Sequence, residues 1–185
     1  MTPPRNSTAA RDIAYALHPY TDHKAHLVNG PLVINRGKGV RVYDDQGKEY
    51  IETVAGLWCA SLGFENERLV QAATAQMRKL PFYGKSHEPM VDLAEMLIER
   101  APVPMSKVFF ANSGSEANDS VIKILWYMHN AIGKPEKKKI ISRLKGYHGI
   151  TLAAASLTGL PANHKLFDLP LPGFIHVGTP HHYHS

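Results

Sequence analysis

Two serines that flank a glycine at residues 113–115 lie between an apolar run and a helical pattern. The apolar run, residues 107–110, predicts a buried strand, and apolar residues at helical spacing follow from residue 117. A helix start leaves backbone N–H groups unpaired in front of the positive end of the helix dipole. Gly114 would let a bound group approach the backbone closely, and the hydroxyls of Ser113 and Ser115 add neutral donors. This pattern predicts an anion site at Gly114 and Ser115, with phosphate as the natural ligand.

The same residues also fit an ordinary helix start. Ser113 and Glu116 have the spacing of a capping box. In such a box the serine accepts a hydrogen bond from the third helical N–H, and the glutamate reaches back. Many helices begin in this way without any ligand, so the local pattern leaves both interpretations open.

A second candidate loop, residues 145–149, follows a predicted strand and places Tyr147 and His148 between two glycines. Ligands of open parallel sheets bind at the carboxyl ends of the strands, so the two loops are expected to face one site. Tyr147 would then present an aromatic face beside the phosphate. Alternatively, the glycines only make a turn whose aromatic residue covers the sheet edge.

The elements that must position these loops alternate between strand and helix from residue 90 onward, which predicts an α/β layer with a largely parallel sheet. Trp58 lies in residues 54–64, which have no clear period, and such a bulky residue is either a packing plug or a pocket wall. The predicted domains are residues 1–60, an arm with a small β-rich segment, and residues 61–185. The predicted helices are 7–17, 67–80, 90–101, 115–132 and 150–156, and the predicted strands are 31–35, 40–43, 49–52, 139–144 and 174–177.

Composition limits the classes of function. The net charge is +5, but the basic residues are dispersed, and the one dense run at 137–139 follows Glu136 in a predicted turn, which favours a solvated surface over nucleic-acid binding. The lone Cys59 excludes an intramolecular disulfide and fits a reducing compartment. No apolar run approaches membrane-spanning length. We therefore expect a soluble, cytoplasmic protein without nucleic-acid or membrane partners.

Several other sites are not predicted. Four histidines near the end, His176, His181, His182 and His184, lack an accompanying cysteine or carboxylate pattern, so we predict no metal site. The sequence contains no Gly-x-Ser-x-Gly elbow, dinucleotide fingerprint or P-loop.

Residues 110–117, Phe-Ala-Asn-Ser-Gly-Ser-Glu-Ala, followed by Gly-Tyr-His-Gly at 146–149, resemble the class III aminotransferases that use pyridoxal phosphate. Residues 47–50, 56–59 and 168–170 are placed as in the ω-transaminase branch, which is similar to amine–pyruvate and β-alanine–pyruvate enzymes. The resemblance covers residues 11–185. The combination of motifs is much more specific than any one of them.

The resemblance implies the type I fold of pyridoxal-phosphate transferases, here incomplete. It implies that Gly114 and Ser115 hold the phosphate of pyridoxal 5'-phosphate, that Tyr147 stacks on the pyridine ring, and that Trp58 walls the substrate pocket. The implied reaction moves an amino group from an amine or ω-amino acid to a keto acid such as pyruvate. A homodimer is implied for the full-length form.

The sequence departs from the family in two respects. The Schiff-base lysine and the carboxylate that pairs with the pyridine nitrogen lie beyond residue 185 in the family, and no lysine here matches that motif; Lys145 has the position of an ordinary loop residue. The loop at 82–88 also looks several residues shorter than the family's loop, which shapes the active-site entrance. We therefore expect an N-terminal portion that is inactive alone. The alternative is a non-catalytic phosphate-binding α/β module that is complete as it stands.

Overall fold

The structure, a computed structural model, describes residues 6–183, so His184 lies outside the described residues. The chain divides into two units, which meet in sequence at His87 and Glu88 and are described separately. The first unit contains α1 (Thr8–Tyr15), α2 (His23–Asn29), β1 (Ile34–Lys38), β2 (Arg41–Asp44), β3 (Glu49–Ile51), α3 (Ala55–Trp58) and α4 (Glu67–Lys79). The second contains α5 (Glu88–Arg100), α6 (Gly114–Ala131), β4 (Ile140–Arg143), α7 (Leu152–Leu157), a 3₁₀ turn (Pro161–Asn163) and β5 (Phe174–Val177).

The three strands of the first unit form the predicted antiparallel meander, in the order β1-β2-β3, but the first strand is Ile34–Lys38 and not the predicted 31–35. Val42 in β2 is opposite Gly37 in β1 and Tyr50 in β3. It is the buried apolar residue of this small sheet. The glycine- and aspartate-containing segments between the strands make the tight turns that this arrangement needs.

Asp44 orders the second of these turns. Its side chain is buried and accepts hydrogen bonds from the backbone N–H groups of Gln46 and Lys48, both at 2.9 Å, and from the Tyr50 hydroxyl at 2.8 Å. Burial by itself would raise the pKa of Asp44, but these hydrogen bonds outweigh it and lower the pKa below its ordinary value. The carboxylate therefore stays ionised and fixes the hairpin between β2 and β3.

Two short helices precede the meander. Ser7 caps α1, as the predicted helix at 7–17 requires, because its Oγ accepts a hydrogen bond from Ala10 N at 3.1 Å. The second helix, α2, is not predicted by the sequence. Asp22 caps it by accepting from the N–H groups of Lys24 and Ala25, and Gly30 ends it with a φ of 70°.

The second unit is built around a parallel pair of strands, in which Ile140 of β4 is opposite Phe174 of β5. Helix α7 contacts α6 and both strands. The core of the second unit consists of Ile122 from α6, Leu157 from α7 and Phe174 from β5. Trp126, Ile140 and Ala153 are partly buried against that core.

The predicted strand at residues 107–110 is wrong. This segment makes no β-ladder with any residue in the range 6–183, and Phe109 and Phe110 are 71% and 42% exposed. Apolar content favours burial, but a strand also needs a hydrogen-bonded neighbour, and the described residues provide none. Gly114 and Ser115 therefore follow an unpaired segment. None of the described helices is both long and apolar enough to cross a membrane.

Candidate functional site

The start of α6 has the predicted capping box. Ser113 Oγ accepts a hydrogen bond from Glu116 N at 3.2 Å. The Glu116 carboxylate reaches back to the N–H of Asn112 at 2.9 Å, and Ala117 N donates to the Ser113 carbonyl at 3.0 Å. These bonds hold the helix start rigidly and turn the Glu116 carboxylate toward the preceding residues.

The capping box leaves at least three donors free at the same helix end. Within residues 6–183, the backbone N–H groups of Gly114 and Ser115 have no acceptor. Ser115 Oγ accepts from Ile150 N at 3.0 Å, and the hydroxyl proton has no acceptor among the described residues. A Cβ added to Gly114 would meet no atom within 4 Å, so the space beside the backbone is open. Capping and anion binding are thus compatible here.

The loop that follows β4 is fastened to this helix start. Ile150 N donates to Ser115 Oγ, and Asn118 Nδ2 donates to the His148 carbonyl at 2.6 Å. Both bonds come from the first two turns of α6. They bring the loop with Tyr147 to the end of α6 that has the free donors. The two predicted loops therefore lie together.

Asp119 extends the same polar face to α7. Its Oδ1 accepts from the Thr151 hydroxyl at 2.9 Å and from Ala154 N at 3.0 Å. Thr151 is the N-cap residue of α7 and makes no side-chain cap of its own, so Asp119 satisfies a free N–H of that helix from a distance in sequence. Sequence reasoning did not identify Asn118 or Asp119. Their spacing from Ser115, three and four residues, was the available signal, because such residues share a helix face.

A buried hydroxyl holds the loop from the other side. Thr158 is fully buried, its Oγ1 accepts from His148 N at 2.9 Å, and it lies 3.2 Å from the carbonyl oxygens of Gly149 and Ala154. The loop is therefore hydrogen-bonded to α6 through Asn118 and Ser115 and to the end of α7 through Thr158. Its conformation is determined by contacts between residues far apart in the chain.

Gly149 is where the loop and the helix start come closest. Its φ is +132°, and an added Cβ would lie 2.4 Å from Ser115 Oγ and 2.9 Å from Ala154 Cβ. No side chain fits between these atoms. The glycine is thus required for close approach, and not only for a turn.

Tyr147 is 53% exposed, so it is not packed beneath the sheet. Its stacking on a cofactor ring stays a prediction. Lys145, in the same loop, has a left-handed φ of 65° and donates its backbone N–H to the Gly159 carbonyl at 2.8 Å.

Trp58 lies in the first unit, in α3, which is a single left-handed turn that its sequence does not predict. Residues Ala55, Gly56, Leu57 and Trp58 have φ angles of 51°, 58°, 63° and 68°. The turn is held by hydrogen bonds from Trp58 N to the Val54 carbonyl and from Ala60 N to the Ala55 carbonyl, both 2.8 Å. The left-handed conformation costs roughly 1–2 kcal/mol for each residue other than glycine. This backbone strain presents an indole that is 76% exposed.

The family of the chain is decided by comparison with known proteins. Residues 22–185 match the family described as Aminotransferase class-III. The chain belongs to the class III aminotransferases. This confirms the resemblance carried by residues 110–117 and 146–149. The family uses pyridoxal phosphate.

Curated relatives of this aminotransferase chain are much longer than it is. The γ-aminobutyrate transaminase 1, mitochondrial, of Oryza sativa subsp. japonica is 53% identical over 158 residues, which are 83% of this chain and 31% of the relative. The chain therefore spans about a third of the length of that curated relative.

Solved structures confirm the predicted fold. The ω-transaminase of Pseudomonas jessenii in complex with PMP is 64% identical, with a TM-score of 0.94 over 97% of this chain and 40% of that chain. A thermostable ω-transaminase variant with a tryptophan replaced by glycine was engineered for asymmetric synthesis of enantiopure bulky amines. It gives the same identity and TM-score over 96% and 40% of the two chains. The chain thus has part of the type I fold of pyridoxal-phosphate transferases.

The residues at the start of α6 fit the phosphate of the family's cofactor. Three donors, the N–H groups of Gly114 and Ser115 and the Ser115 hydroxyl, have no acceptor in the described part of the chain. Glu116, the nearest acidic side chain in sequence, has its carboxylate bonded to Asn112 N. The open space over Gly114 leaves room for a phosphoryl group.

The left-handed turn at Trp58 gives a prediction for stability. Gly56→Ala is expected to lower the free energy of unfolding by about 1 kcal/mol, because a Cβ at a φ of 58° is strained. Its steric contacts would be ordinary, at 3.6 Å or more. Urea denaturation of the complete gene product followed by circular dichroism measures the change.

Gly84→Ala is the matched control, because Gly84 does not have a positive φ and an added Cβ meets nothing within 4 Å. We expect this variant to be unchanged or stabilised by up to about 1 kcal/mol. Equal effects of the two substitutions would contradict the left-handed turn.

Proposed function

We propose that the protein containing this chain is a pyridoxal 5'-phosphate-dependent aminotransferase. Its reaction moves an amino group from an amine or ω-amino acid to a keto acid, with pyruvate as the acceptor. One observation carries the proposal: the free donors at the start of α6 and the Tyr147 loop are joined by the hydrogen bond from Ile150 N to Ser115 Oγ. In a member of this family, we expect this junction to hold both the phosphate and the ring of the cofactor.

The residues of this chain bind and orient. Gly114 and Ser115 would hold the phosphate through two N–H groups and one hydroxyl, assisted by the α6 dipole. Tyr147 would flank the ring by offset stacking. Asn118 would keep the Tyr147 loop in place through its bond to the His148 carbonyl. The cofactor, when bound, supplies the electron sink for amino transfer.

The substrate class is supported by the relatives. The rice relative is named for γ-aminobutyrate, an ω-amino acid, which supports a donor of that chemistry. The thermostable ω-transaminase variant engineered for bulky amines has a tryptophan replaced by glycine, which supports an amine donor and a tryptophan that limits the size of that donor. By analogy we propose Trp58 as the wall of the substrate pocket.

We also propose that the full-length protein is a homodimer, which size-exclusion chromatography with light scattering measures. The cytoplasmic location stays a prediction. It is supported by Cys59, which is a free cysteine, although the rice relative is named as mitochondrial. A reducing compartment is compatible with either location.

Ser115→Ala tests the cofactor site in the complete gene product. The substitution removes one hydrogen-bond donor to a phosphate and the acceptor for Ile150 N. We expect the Kd for pyridoxal phosphate to rise about tenfold, as loss of a hydrogen bond to a charged group predicts. Titration followed by cofactor absorbance gives the Kd, and alanine formation from pyruvate, with γ-aminobutyrate or an aryl-alkyl amine as donor, gives the activity.

Ser7→Ala is the matched control, because Ser7 Oγ also accepts a backbone N–H, from Ala10, at a helix start of the other unit. It should leave the Kd unchanged. Equal affinities of the two variants would remove Ser115 from the site. Tight binding of pyridoxal phosphate by the wild-type gene product without any amino transfer would favour the non-catalytic phosphate-binding module.

A further inference from the structure

Three side chains of the first unit that the proposed reaction does not use converge on one point. Asp12 projects from α1, His26 from α2, and His18 from the segment that joins the two helices. His18 Nε2 lies 3.0 and 2.8 Å from the two Asp12 carboxylate oxygens, and His26 Nε2 lies 3.0 Å from Asp12 Oδ1. Both rings therefore bring the same nitrogen, Nε2, to within 3.0 Å of one carboxylate.

Hydrogen bonding does not fully account for this arrangement. His26 Nε2 is buried and has no hydrogen-bond partner among the described residues, although Asp12 Oδ1 is only 3.0 Å away. The direction of the nitrogen is thus wrong for a hydrogen bond to that oxygen, and a buried polar atom without a partner is costly. An ion coordinated by both His26 Nε2 and the Asp12 carboxylate would give this nitrogen a partner.

The spacing suits a metal ion. One ligand atom from each of Asp12, His18 and His26 can be chosen so that all lie within 4.8 Å of one another. Tetrahedral zinc with bonds of about 2.0–2.1 Å places its ligand atoms about 3.4 Å apart. The two Asp12–His contacts, 2.8 and 3.0 Å, are already close to this separation, and the two imidazole ligand atoms are at most 4.8 Å apart, so small side-chain rotations would bring the three groups around one ion.

We propose that Asp12, His18 and His26 bind a divalent transition-metal ion, with Zn²⁺ as the natural occupant. Two imidazole nitrogens and one carboxylate are borderline ligands, which favour Zn²⁺ and Co²⁺ over the all-oxygen coordination of Mg²⁺ and Ca²⁺. The His18 side chain is 40% exposed, whereas those of Asp12 and His26 are 20% and 11% exposed. Metal therefore enters from the His18 side, where water supplies the fourth ligand.

Such an ion would crosslink α1, the joining segment and α2. The two helices are only eight and seven residues long and contain no buried residue. Short helices without core contacts are marginally stable, so a shared ion would account for much of their order. The site is in a different unit from the cofactor donors and does not depend on the proposed aminotransferase activity.

Cobalt titration of the complete gene product, purified without a histidine tag and stripped with a chelator, tests the proposal. Wild-type protein is expected to bind one Co²⁺ per chain at this site with visible d–d absorption and to release it to Zn²⁺. Asp12→Asn and His26→Gln should each weaken binding by at least about tenfold, since even indirect disturbance of a metal site costs about 10–100-fold. Zn²⁺ should also raise the thermal unfolding midpoint of the wild type but not of these variants.

His23→Gln is the control, because His23 lies on α2 but outside the cluster and is exposed. Its Kd for Co²⁺ should lie within about twofold of the wild-type value, which is well below the tenfold losses expected of the cluster variants. His18 is the most exposed of the three ligands, so His18→Gln should disturb the fold least. Far-UV circular dichroism checks that this variant is folded. Absence of a d–d band in the wild-type protein would overturn the proposal. Folded cluster variants that bind Co²⁺ like His23→Gln would also overturn it and would assign the bound metal to other histidines.

Discussion

Gly149→Ala is expected to raise the Kd for pyridoxal phosphate by about 100-fold or more, the larger of the two effects expected at the cofactor site. The new Cβ would lie 2.4 Å from Ser115 Oγ and 3.0 Å from Ser115 Cα. Because Ser115 Cα belongs to the α6 backbone, the clash cannot be relieved by rotating one side chain. The loop must retreat from α6, which breaks the bond from Ile150 N to Ser115 Oγ and displaces Tyr147.

The measurement is the same absorbance titration, with thermal unfolding recorded in parallel. Gly133→Ala is the matched control, because Gly133 follows α6, has a φ of +72° and would carry a Cβ in open space. The Gly133→Ala variant has a similar backbone strain without the clash. Its free energy of unfolding should therefore fall by about 1 kcal/mol, and its affinity for the cofactor should not change. If both variants retain the cofactor equally well, close approach at Gly149 does not form the site.

The parts of this fold that follow from sequence are those whose signal is local. The helices α4, α5 and α6 have long apolar periods, and the β1-β2-β3 meander has turns with glycine and aspartate. The last strand, Phe174–Val177, agrees with its predicted bounds. In each case periodicity and turn chemistry point to the same structure as the tertiary contacts.

The errors lie where tertiary contacts override local preference. Residues 107–110 have strand composition, but composition cannot supply a neighbouring strand. Helix α2 has only seven residues, which is too short to show an apolar period, and it contains no buried residue. The turn at Ala55–Trp58 is left-handed through alanine, leucine and tryptophan, which all disfavour that conformation. No propensity argument predicts a strained turn; only the surrounding structure imposes it.

The candidate site divides in the same way. The free donors of Gly114 and Ser115 follow from the helix start, which is local. The bonds that fasten the Tyr147 loop join residues about thirty positions apart, such as Asn118 and His148, and require the folded chain. The cluster of Asp12, His18 and His26 lacks a recognised metal-binding spacing and depends on the unpredicted α2, so the sequence offered no reason to group these residues.

A polypeptide that ends at Ser185 is expected to show no detectable transamination and to aggregate. The resemblance places the Schiff-base lysine and the carboxylate for the pyridine nitrogen beyond residue 185, so the free donors at α6 can hold a phosphate but nothing in this chain is assigned to move the proton. Large apolar side chains also lack cover within residues 6–183: Phe109, Tyr127 and Phe167 are 71%, 77% and 68% exposed. Exposed apolar side chains promote association where they form patches.

The test is to express residues 1–185 and, in parallel, the complete gene product, each with pyridoxal phosphate. Soluble yield, borohydride-trapped lysine adducts and alanine formed from pyruvate are compared at equal chain concentration. We expect the short polypeptide to pellet or to form soluble assemblies, with no stoichiometric adduct and no alanine above background. A soluble monomer with one site-specific adduct and measurable turnover would contradict this, and mapping that adduct, with Lys145 as the first candidate, would identify a catalytic lysine within the chain itself.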